Sequence, residues 1–353
     1  VDEYKEKGQY FYLEATEELL PNGRVKVVNY GEMIMLGGYS YLGLIGHPKI
    51  NAAAKAAIDK YGTGTYGVRL LAGTLQLHNE LEERIARFKQ TDAAVTMSSG
   101  YVTNLATISS LLRKNDTVIC DKLNHASIVD GCLLAMAKFV RFRHNDMDHL
   151  ERRLREANPL GRKLVVADAV FSMDGDIINL PEMARICQKH DAYLMIDEAH
   201  SIGVIGKTGH GIEEHFDLPP DTIDIKMGTL SKTIPSAGGY VAGSEELVKF
   251  LKHEARAFIF SAAVPPSSAG AAIAAFDVIE EEPWRVEKIQ STYQRFAGKL
   301  REAGFDLLHT ETAIVPVVCG STPAAANLAK HCQDNGIFVQ AVVSPVVPEG
   351  LAR

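Results

Sequence analysis

The strongest constraint on the fold is a regular alternation of short apolar runs and helical patterns through the middle of the chain. The apolar runs are rich in β-branched residues and occupy 93–98, 116–121, 138–143, 163–168, 192–197 and 223–228. Helical stretches such as 101–114 and 180–190 lie between several of them. Apolar strands that alternate with helices are typical of a parallel sheet covered by helices on both faces. The sequence therefore predicts an α/β fold with a mostly parallel sheet.

The segments on either side of this core predict further elements. Residues 24–30 and 33–38 read as a hairpin, and an alanine-rich helix follows at 49–62. Two helices, at 265–283 and 284–304, lead to a βαβ-like unit between 313 and 343. We therefore predict three parts: an N-terminal segment with a hairpin (1–41), a large domain (42–280) and a small C-terminal α/β domain (281–353).

Composition excludes several classes of protein. The net charge of −7 and the lack of a basic block argue against a nucleic-acid or anionic-membrane partner. No apolar run reaches the roughly 20 residues of a membrane span, and the charged N-terminus is unlike a signal peptide. Five scattered cysteines predict neither disulfides nor a metal site. We expect a cytoplasmic protein with no transmembrane segment.

Two nucleotide-binding motifs are present only in part. GTGTYG (62–67) matches a dinucleotide-binding fingerprint, but a helix precedes it where that fingerprint requires a strand. GVIGKTG (203–209) contains Gly-Lys-Thr, but Ser201 stands where a P-loop requires its first glycine. The sequence therefore indicates no nucleotide site.

Lys232 lies between a short apolar strand and a glycine-rich turn, in the stretch IKMGTLSKTIPSAGGY (225–240). A surface lysine needs no such setting. A lysine that forms an imine with a carbonyl compound does, since it must be held still and partly desolvated. Asp197 ends another predicted strand, where it is either a helix N-cap or the counter-ion of a cationic ring nitrogen. His200 can reach the same crevice at the strand ends.

Other strand ends carry further polar groups. His125 follows the strand at 116–121, as a cap, a packed ring or a catalyst. Ser98, Ser99 and Gly100 lead into a helix, whose free N–H groups favour a phosphate. A phosphate cradle, an acid, an aromatic ring and a lysine at the ends of one sheet are what pyridoxal 5′-phosphate requires.

The motifs of the chain resemble those of the α-oxoamine synthases, a family of fold-type-I pyridoxal-phosphate enzymes. The similarity runs from about residue 39 to residue 353, and its motifs are YLGL (41–44), GTGTYGVRLLAGT (62–74), NHASIVDG (124–131), VFSMDGD (170–176), IDEAHSIGVIG (196–206) and GTLSK (228–232). Some stretches, such as SSGYVTNL, lean toward the serine palmitoyltransferase branch. The resemblance implies a large domain with a mostly parallel sheet and a smaller α/β C-terminal domain.

The resemblance also implies roles for the polar side chains around the cofactor ring. Lys232 would bind the cofactor as an imine and later act as acid and base at the substrate Cα. Asp197 would pair with the ring nitrogen, and His200 would donate to the ring hydroxyl oxygen with Ser172 nearby. His125 would stack on the ring face.

The phosphate of the cofactor has its own set of implied ligands. The N–H groups of Gly100 and Tyr101 and the hydroxyl of Thr229 would hold it. Ser261 would reach the phosphate of the neighbouring subunit, which implies a homodimer with composite active sites. No metal is implied.

Three departures from the family pattern stand out. Tyr39 replaces an asparagine that several members place before YLGL, and Pro235 lies in a turn that is usually richer in glycine. The family continues beyond the position of Arg353 with an arginine that binds the substrate carboxylate. We therefore expect the small domain to be incomplete in this sequence.

The reaction implied is the condensation of an amino acid with an acyl thioester, carried by coenzyme A or a carrier protein, with decarboxylation to an α-amino ketone. A second hypothesis is another fold-type-I reaction, such as aminotransfer or aldol cleavage. A third is a non-catalytic subunit with the same fold; the joint presence of Lys232, Asp197 and His125 argues against it.

Overall fold

Residues 12–353 are described by the structure, a computed structural model. The strands are β1 (Thr16–Leu20), β2 (Arg24–Val27), β3 (Gly31–Met35), β4 (Ala93–Met97), β5 (Thr117–Asp121), β6 (Lys138–Phe142), β7 (Lys163–Asp168), β8 (Tyr193–Asp197), β9 (Ile225–Thr229), β10 (Gly239–Gly243) and β11 (Ile337–Phe338). The helices are α1 (Pro48–Tyr61), α2 (Gln76–Lys89), α3 (Gly100–Leu111), α4 (Ala126–Leu134), α5 (Met147–Arg155), α6 (Leu180–Lys189), α7 (Ile212–His215), α8 (Glu245–Glu254), α9 (Arg256–Ile259), α10 (Pro266–Glu281), α11 (Trp284–Glu302) and α12 (Thr322–Asp334).

A seven-stranded sheet organises the larger of two compact units, which comprises residues 40–172 and 176–291. Its strand order is β4-β10-β9-β8-β7-β5-β6, and the strands from β9 to β6 are parallel. All six predicted strands are therefore confirmed, within two residues at each end. Because β5, β7, β8 and β9 run in the same direction, Asp121, Asp168, Asp197 and Thr229 all lie at one edge of the sheet.

Strand β10 was not predicted, and it pairs antiparallel with both β4 and β9. Its sequence, GYVAG, has glycine at both ends, and glycine is unfavourable in strands. Close packing explains both: a Cβ on Gly239 would lie 2.8 Å from the backbone N of Gly100, and a Cβ on Gly243 would lie 2.8 Å from the carbonyl oxygen of Asp224. Gly239 thus allows β10 to meet the start of α3.

Helices cover both faces of this sheet and bury two apolar clusters. One cluster includes Leu81 and Phe88 of α2 and Phe276 of α10. The other includes Ile108 of α3 and Val118 of β5. The alanine-rich helices α1 and α10 pack closely, since a Cβ on Gly270 would lie 2.9 Å from the carbonyl oxygen of Ala53. The strand ends are therefore held by a rigid two-layer core.

Glu82 anchors β4, the strand that leads into the Ser98–Gly100 loop. Its buried carboxylate accepts hydrogen bonds from Arg69 (2.8 Å), Lys252 (2.8 Å), and the backbone N (2.9 Å) and Oγ1 (3.0 Å) of Thr96. Burial raises the pKa of Glu82, but Arg69 and Lys252 outweigh this effect and the pKa is lowered. The charge is thus compensated from both sides, and Thr96 is fixed four residues before Gly100.

The second compact unit comprises the described residues up to Tyr39, with Met173–Gly175 and Thr292–Arg353. Its sheet has the order β1-β2-β3-β11, with β2 antiparallel to β3 and β11 parallel to β3. The predicted hairpin is confirmed. This sheet joins N-terminal and C-terminal segments, which the predicted division at 1–41, 42–280 and 281–353 assigns to separate parts. That division stays a prediction.

The βαβ-like unit predicted between 313 and 343 contains its helix, α12, but little strand. Residues 337–343 form a strand only at Ile337–Phe338, and 313–320 form a single bridge, between Gly320 and Ala352. Pro316 cannot donate a ladder hydrogen bond. Val318 and Cys319 donate to Asp306 and Ala352, respectively. Their backbone bonds go to two different segments, so no continuous strand forms.

His144 holds the loop between β5 and α4, which carries His125. Its ring nitrogens lie 3.0 Å from Oδ1 of Asp121 and 2.8 Å from Oδ2 of Asp176. Asp121 also accepts from the backbone N of Leu123 at 2.8 Å. Burial lowers the pKa of His144, but hydrogen bonds to the two carboxylates outweigh it and raise the pKa to about 10.

This cluster predicts a pH-dependent stability. Because the folded-state pKa of His144 exceeds its unfolded value, its contribution is complete below about pH 6.5 and is lost as pH rises toward 10. We expect His144→Gln to lower the free energy of unfolding by about 2 kcal/mol near pH 6 and by much less at pH 10. Urea unfolding across this range measures it, with the exposed His331→Gln as control. If His144→Gln lowered the free energy of unfolding by the same amount at every pH, this role of a protonated His144 would be contradicted.

Candidate active site

Lys232 follows β9 and lies beside β8. Its Nζ is 2.8 Å from Nε2 of His200, which lies three residues beyond the end of β8. Burial lowers the pKa of Lys232, although Asp197 and Asp168 act in the opposite direction. A lowered pKa increases the fraction of neutral amine, which is the nucleophilic form of lysine. The structure thus gives Lys232 the partly desolvated position predicted for it.

Asp197 lies at the end of β8 and is 4% exposed. Its Oδ1 accepts from the backbone N of Ala199 at 2.9 Å, and its Oδ2 accepts from Nδ2 of Asn104 at 2.7 Å. The segment after Asp197 forms turns, and the next helix begins at Ile212. The helix N-cap interpretation of Asp197 is therefore wrong, and its carboxylate lies instead beside the lysine.

His125 is the N-cap of α4, as one of the sequence interpretations proposed. Its Nδ1 accepts from the backbone N of Ser127 at 3.2 Å and lies 2.8 Å from Oγ of Ser127. Its own backbone N donates to Oδ2 of Asp168 at 2.7 Å. The side chain is nevertheless exposed. Capping therefore orients the ring without burying the side chain.

The start of α3 provides donors for an anion. Ser99 caps the helix, because its Oγ accepts from Val102 N at 3.1 Å and its carbonyl accepts from Thr103 N. The N–H groups of Gly100 and Tyr101 find no acceptor within residues 12–353. Free N–H groups at a helix N-terminus attract phosphate.

Thr229 completes this anion site from β9. A Cβ placed on Gly100 would lie 2.9 Å from Oγ1 of Thr229, so the two residues are in close contact. Oγ1 of Thr229 also lies 2.9 Å from Oγ of Ser231. The side chain of Tyr101 donates to Asp130. Tyr101 can therefore serve a phosphate only through its backbone, as the sequence predicted.

Two predicted site residues lie apart from these contacts. Ser172 is half-buried beyond β7, and its side chain makes no hydrogen bond within the described part of the chain. Ser261 follows α9 and lines a small cavity together with Arg69 and Ser98 of the same chain. The roles predicted for Ser172 and Ser261 stay predictions.

Three residues of the site were not predicted: Tyr41, Asn104 and Asp168. Tyr41 OH lies 2.7 Å from Nδ1 of His200. Asn104, which is 1% exposed, donates to Oγ of Ser127 at 2.9 Å as well as to Asp197. Tyr41 lies within the YLGL motif, and Asn104 lies one helical turn beyond the Ser98–Gly100 loop. Their nearness to these motifs could have marked them as site residues. Their partners are distant in sequence, and no local pattern reveals them.

Asp168 ends β7 and lies in register with Asp197 of β8. Burial raises the pKa of Asp168 well above its usual range, and the neighbouring charge of Asp197 raises it further. Burial and the charge of Asp197 thus both disfavour the charged form of Asp168. Of the two adjacent acids, Asp197 is the one available as a counter-ion.

These residues fit pyridoxal phosphate on the structure's own evidence. Gly100 and Tyr101 offer backbone N–H groups to a phosphate, and Gly100 packs so closely on Thr229 that a Cβ would lie 2.9 Å from the Thr229 hydroxyl oxygen. Asp197 offers a carboxylate to a ring nitrogen, and Lys232 offers an amine with a lowered pKa to an aldehyde.

Within residues 12–353, no helix is long and apolar enough to cross a membrane.

Comparisons with known proteins agree with this geometry. A family model described as aminotransferase class I and II matches residues 31–353. The 8-amino-7-oxononanoate synthase of Thermoanaerobacter pseudethanolicus (strain ATCC 33223 / 39E) is 41% identical over 354 aligned positions, covering 100% of this chain and 89% of that enzyme. The serine palmitoyltransferase of Sphingobacterium spiritivorum is 41% identical over 361 positions, covering 100% of this chain and 88% of that enzyme.

Solved structures give the same result for the fold. The Sphingomonas wittichii serine palmitoyltransferase superposes with a TM-score of 0.94 at 33% identity, covering 99% of this chain and 88% of the other. A high-resolution structure described as SPT with PLP internal aldimine superposes with a TM-score of 0.95 at 34% identity and the same coverage. The chain therefore belongs to the aminotransferase class I and II family and, within it, to the α-oxoamine synthases, transferases that depend on pyridoxal 5′-phosphate.

Proposed function

We propose that this chain condenses an amino acid with an acyl thioester, releasing carbon dioxide and a free thiol and forming an α-amino ketone. The observation that carries the proposal is the amine of Lys232, which is held 2.8 Å from His200 with a lowered pKa. Relatives named for two such condensations are each 41% identical to the chain.

The site residues divide the work of holding the cofactor. The N–H groups of Gly100 and Tyr101, with the Thr229 hydroxyl, would bind the phosphate. Asp197 would pair with the ring nitrogen, and His125 would cover the ring from its accessible face. When bound, pyridoxal phosphate supplies an electron sink for the bond that breaks at the amino-acid Cα.

We assign the removal of the proton at the substrate Cα to Lys232. Burial lowers the pKa of this lysine, which increases the fraction of neutral amine that can accept the proton. His200 lies beside Nζ and limits where the amine can point. The chain's part in catalysis is therefore orientation and proton transfer at one stated atom.

The identity of the acyl donor and of the amino acid is also part of this proposal. The 41% identity to a serine palmitoyltransferase lies within the 40% to 44% found for 8-amino-7-oxononanoate synthases, so overall identity does not separate the two substrate pairs. Small amino acids crossed with acyl thioesters of graded chain length, on coenzyme A and on a carrier protein, form the appropriate screen.

A homodimer with composite sites is the assembly we infer. Ser261 lies on the loop between α9 and α10, where its neighbour Phe260 is 72% exposed. Leu71 and Tyr66 are also largely exposed. A second copy that covers such side chains would bring Ser261 to the partner's phosphate.

A cytoplasmic location fits the cysteines of the chain. Cys120, Cys132, Cys187, Cys319 and Cys332 are all free. Free thiols are usual in proteins of reducing compartments.

The product stoichiometry tests the reaction class. With a productive substrate pair, we expect carbon dioxide and free thiol in equal amounts. Each turnover breaks one bond between Cα and the carboxylate carbon and one thioester bond. Thiol titration and trapping of carbon dioxide measure this across the substrate screen. Steady conversion of a 2-oxo acid to an amino acid, with no thiol from any donor, would instead identify an aminotransferase.

The cofactor-bearing lysine is tested by chemical trapping. After loading with pyridoxal phosphate and reduction with borohydride, we expect the label on the peptide that contains Lys232. Lys232→Ala should abolish the label and reduce turnover by at least about a thousandfold, because both the covalent link and the base are lost. Lys122→Ala, which removes an exposed lysine beside β5, is the control. A label on any other lysine of the parent protein would refute the assignment.

Gly100 tests the phosphate site. Gly100→Ala places a methyl group 2.9 Å from Oγ1 of Thr229, and we expect the affinity for pyridoxal phosphate to fall about tenfold or more. Equilibrium dialysis measures the affinity. Gly298→Ala is the matched control, since a Cβ there meets nothing within 4 Å and alanine favours the helix. Unchanged affinity in Gly100→Ala would place the phosphate elsewhere.

A further inference from the structure

Three side chains form a hydrogen-bonded row across the active site. The hydroxyl oxygen of Tyr41 lies 2.7 Å from Nδ1 of His200, and Nε2 of His200 lies 2.8 Å from Nζ of Lys232. His200 is 7% exposed, and the rings of Tyr41 and His200 meet edge to face at 6.1 Å. Both ring nitrogens of His200 are therefore engaged by the protein.

The protonation of His200 decides what it can offer to the site. Burial lowers the pKa of His200 well below its usual range, and the nearby Lys232 and His125 lower it further. A neutral imidazole has one N–H donor and one acceptor nitrogen. A hydrogen on Nε2 would face the lysine, whereas a hydrogen on Nδ1 would face the tyrosine.

The chemistry of the site favours the first of these forms. A neutral amine on Lys232 has a lone pair that can accept from Nε2–H. The ring hydroxyl of pyridoxal phosphate, when ionised, also needs a donor and would be repelled by a lone pair on Nε2. With the hydrogen on Nε2, Nδ1 must accept, and the Tyr41 hydroxyl is the donor next to it.

The backbone holds both residues in place for this contact. Gly43 N donates to Ser40 O at 2.9 Å, and Arg285 donates to the carbonyl of Leu42 at 3.0 Å, which fixes the turn that carries Tyr41. On the other side, Asp197 accepts from Ala199 N directly before His200. Neither residue therefore depends on the other for its backbone position.

We infer that Tyr41 is a positioning residue: it donates its hydroxyl hydrogen to Nδ1 of His200 and so keeps the hydrogen of the imidazole on Nε2, facing Lys232. The link to catalysis rests on the proposed function. The position of the hydrogen is measured on the protein itself, with no substrate and no turnover, so its test is independent of the reaction class.

Nitrogen NMR of ¹⁵N-histidine-labelled full-length protein tests the inference, with His200→Gln identifying the resonances. We expect His200 in the parent to carry its hydrogen on Nε2, and in Tyr41→Phe to show the averaged shifts of two exchanging tautomers. Tyr41→Phe should also weaken pyridoxal phosphate binding about tenfold, the cost of one lost hydrogen bond.

Tyr240→Phe is the matched control for this substitution. Tyr240 is 1% exposed, and its hydroxyl has no hydrogen-bond partner in the described part of the chain. We expect it to leave the His200 resonances unchanged, whereas a general loosening of the core would alter them in both variants. Circular dichroism confirms that each variant is folded.

Two results would overturn the inference: a hydrogen on Nδ1 of His200 in the parent protein, or unchanged His200 resonances in a folded Tyr41→Phe. If Tyr41→Phe does not fold, the parent spectrum still tests the position of the hydrogen on which the inference depends. The proposed function fails separately, through absent thiol release, and that failure would leave the tautomer result standing.

Discussion

The register between β7 and β8 is the constraint on which the rest of the site depends. It places Asp168 and Asp197 side by side at the ends of two buried strands. Two ionised carboxylates so close together, with little water, would repel one another strongly. The conflict is resolved by asymmetry: the pKa of Asp168 is raised, whereas Asp197 receives hydrogen bonds from Asn104 and Ala199. Asp197 is therefore the carboxylate favoured to offer a negative charge to a cationic partner.

That single charge links the two hydrogen-bonded rows of the site. From Asp197, one row runs through Asn104 and Ser127 to Nδ1 of His125. The other row, from Tyr41 through His200, ends at Lys232, whose pKa is influenced by Asp197. A cofactor ring between them would meet a fixed acid, a fixed imidazole face and a fixed amine. Such preorganisation removes the cost of arranging these groups during the reaction.

Local sequence pattern was sufficient for the parallel strands and for the residues at their ends. Residues 164–167 of β7 are all apolar because both faces of the strand are buried, so its identity as a strand of the parallel sheet needs no knowledge of its neighbours. Strand β10 escaped prediction because its two glycines serve close packing, Gly239 against α3 and Gly243 against Asp224, rather than strand propensity. The strand predicted at 313–320 did not form because the backbone N–H groups of Val318 and Cys319 donate to two different segments. Hydrophobic periodicity does not reveal such a division.

The residues that escaped prediction share a physical character. The proposed function assigns the chemistry to Lys232, Asp197 and His125, whose types and strand-end positions are informative alone. Tyr41 and Asn104 act only through a partner: 159 residues separate Tyr41 from His200, and 93 separate Asn104 from Asp197. Asn104 donates its two amide hydrogens to Ser127 and Asp197, and its Oδ1 has no donor in the described part of the chain. A buried acceptor left unpaired costs free energy, so this arrangement favours the orientation of Asp197 over the stability of the fold.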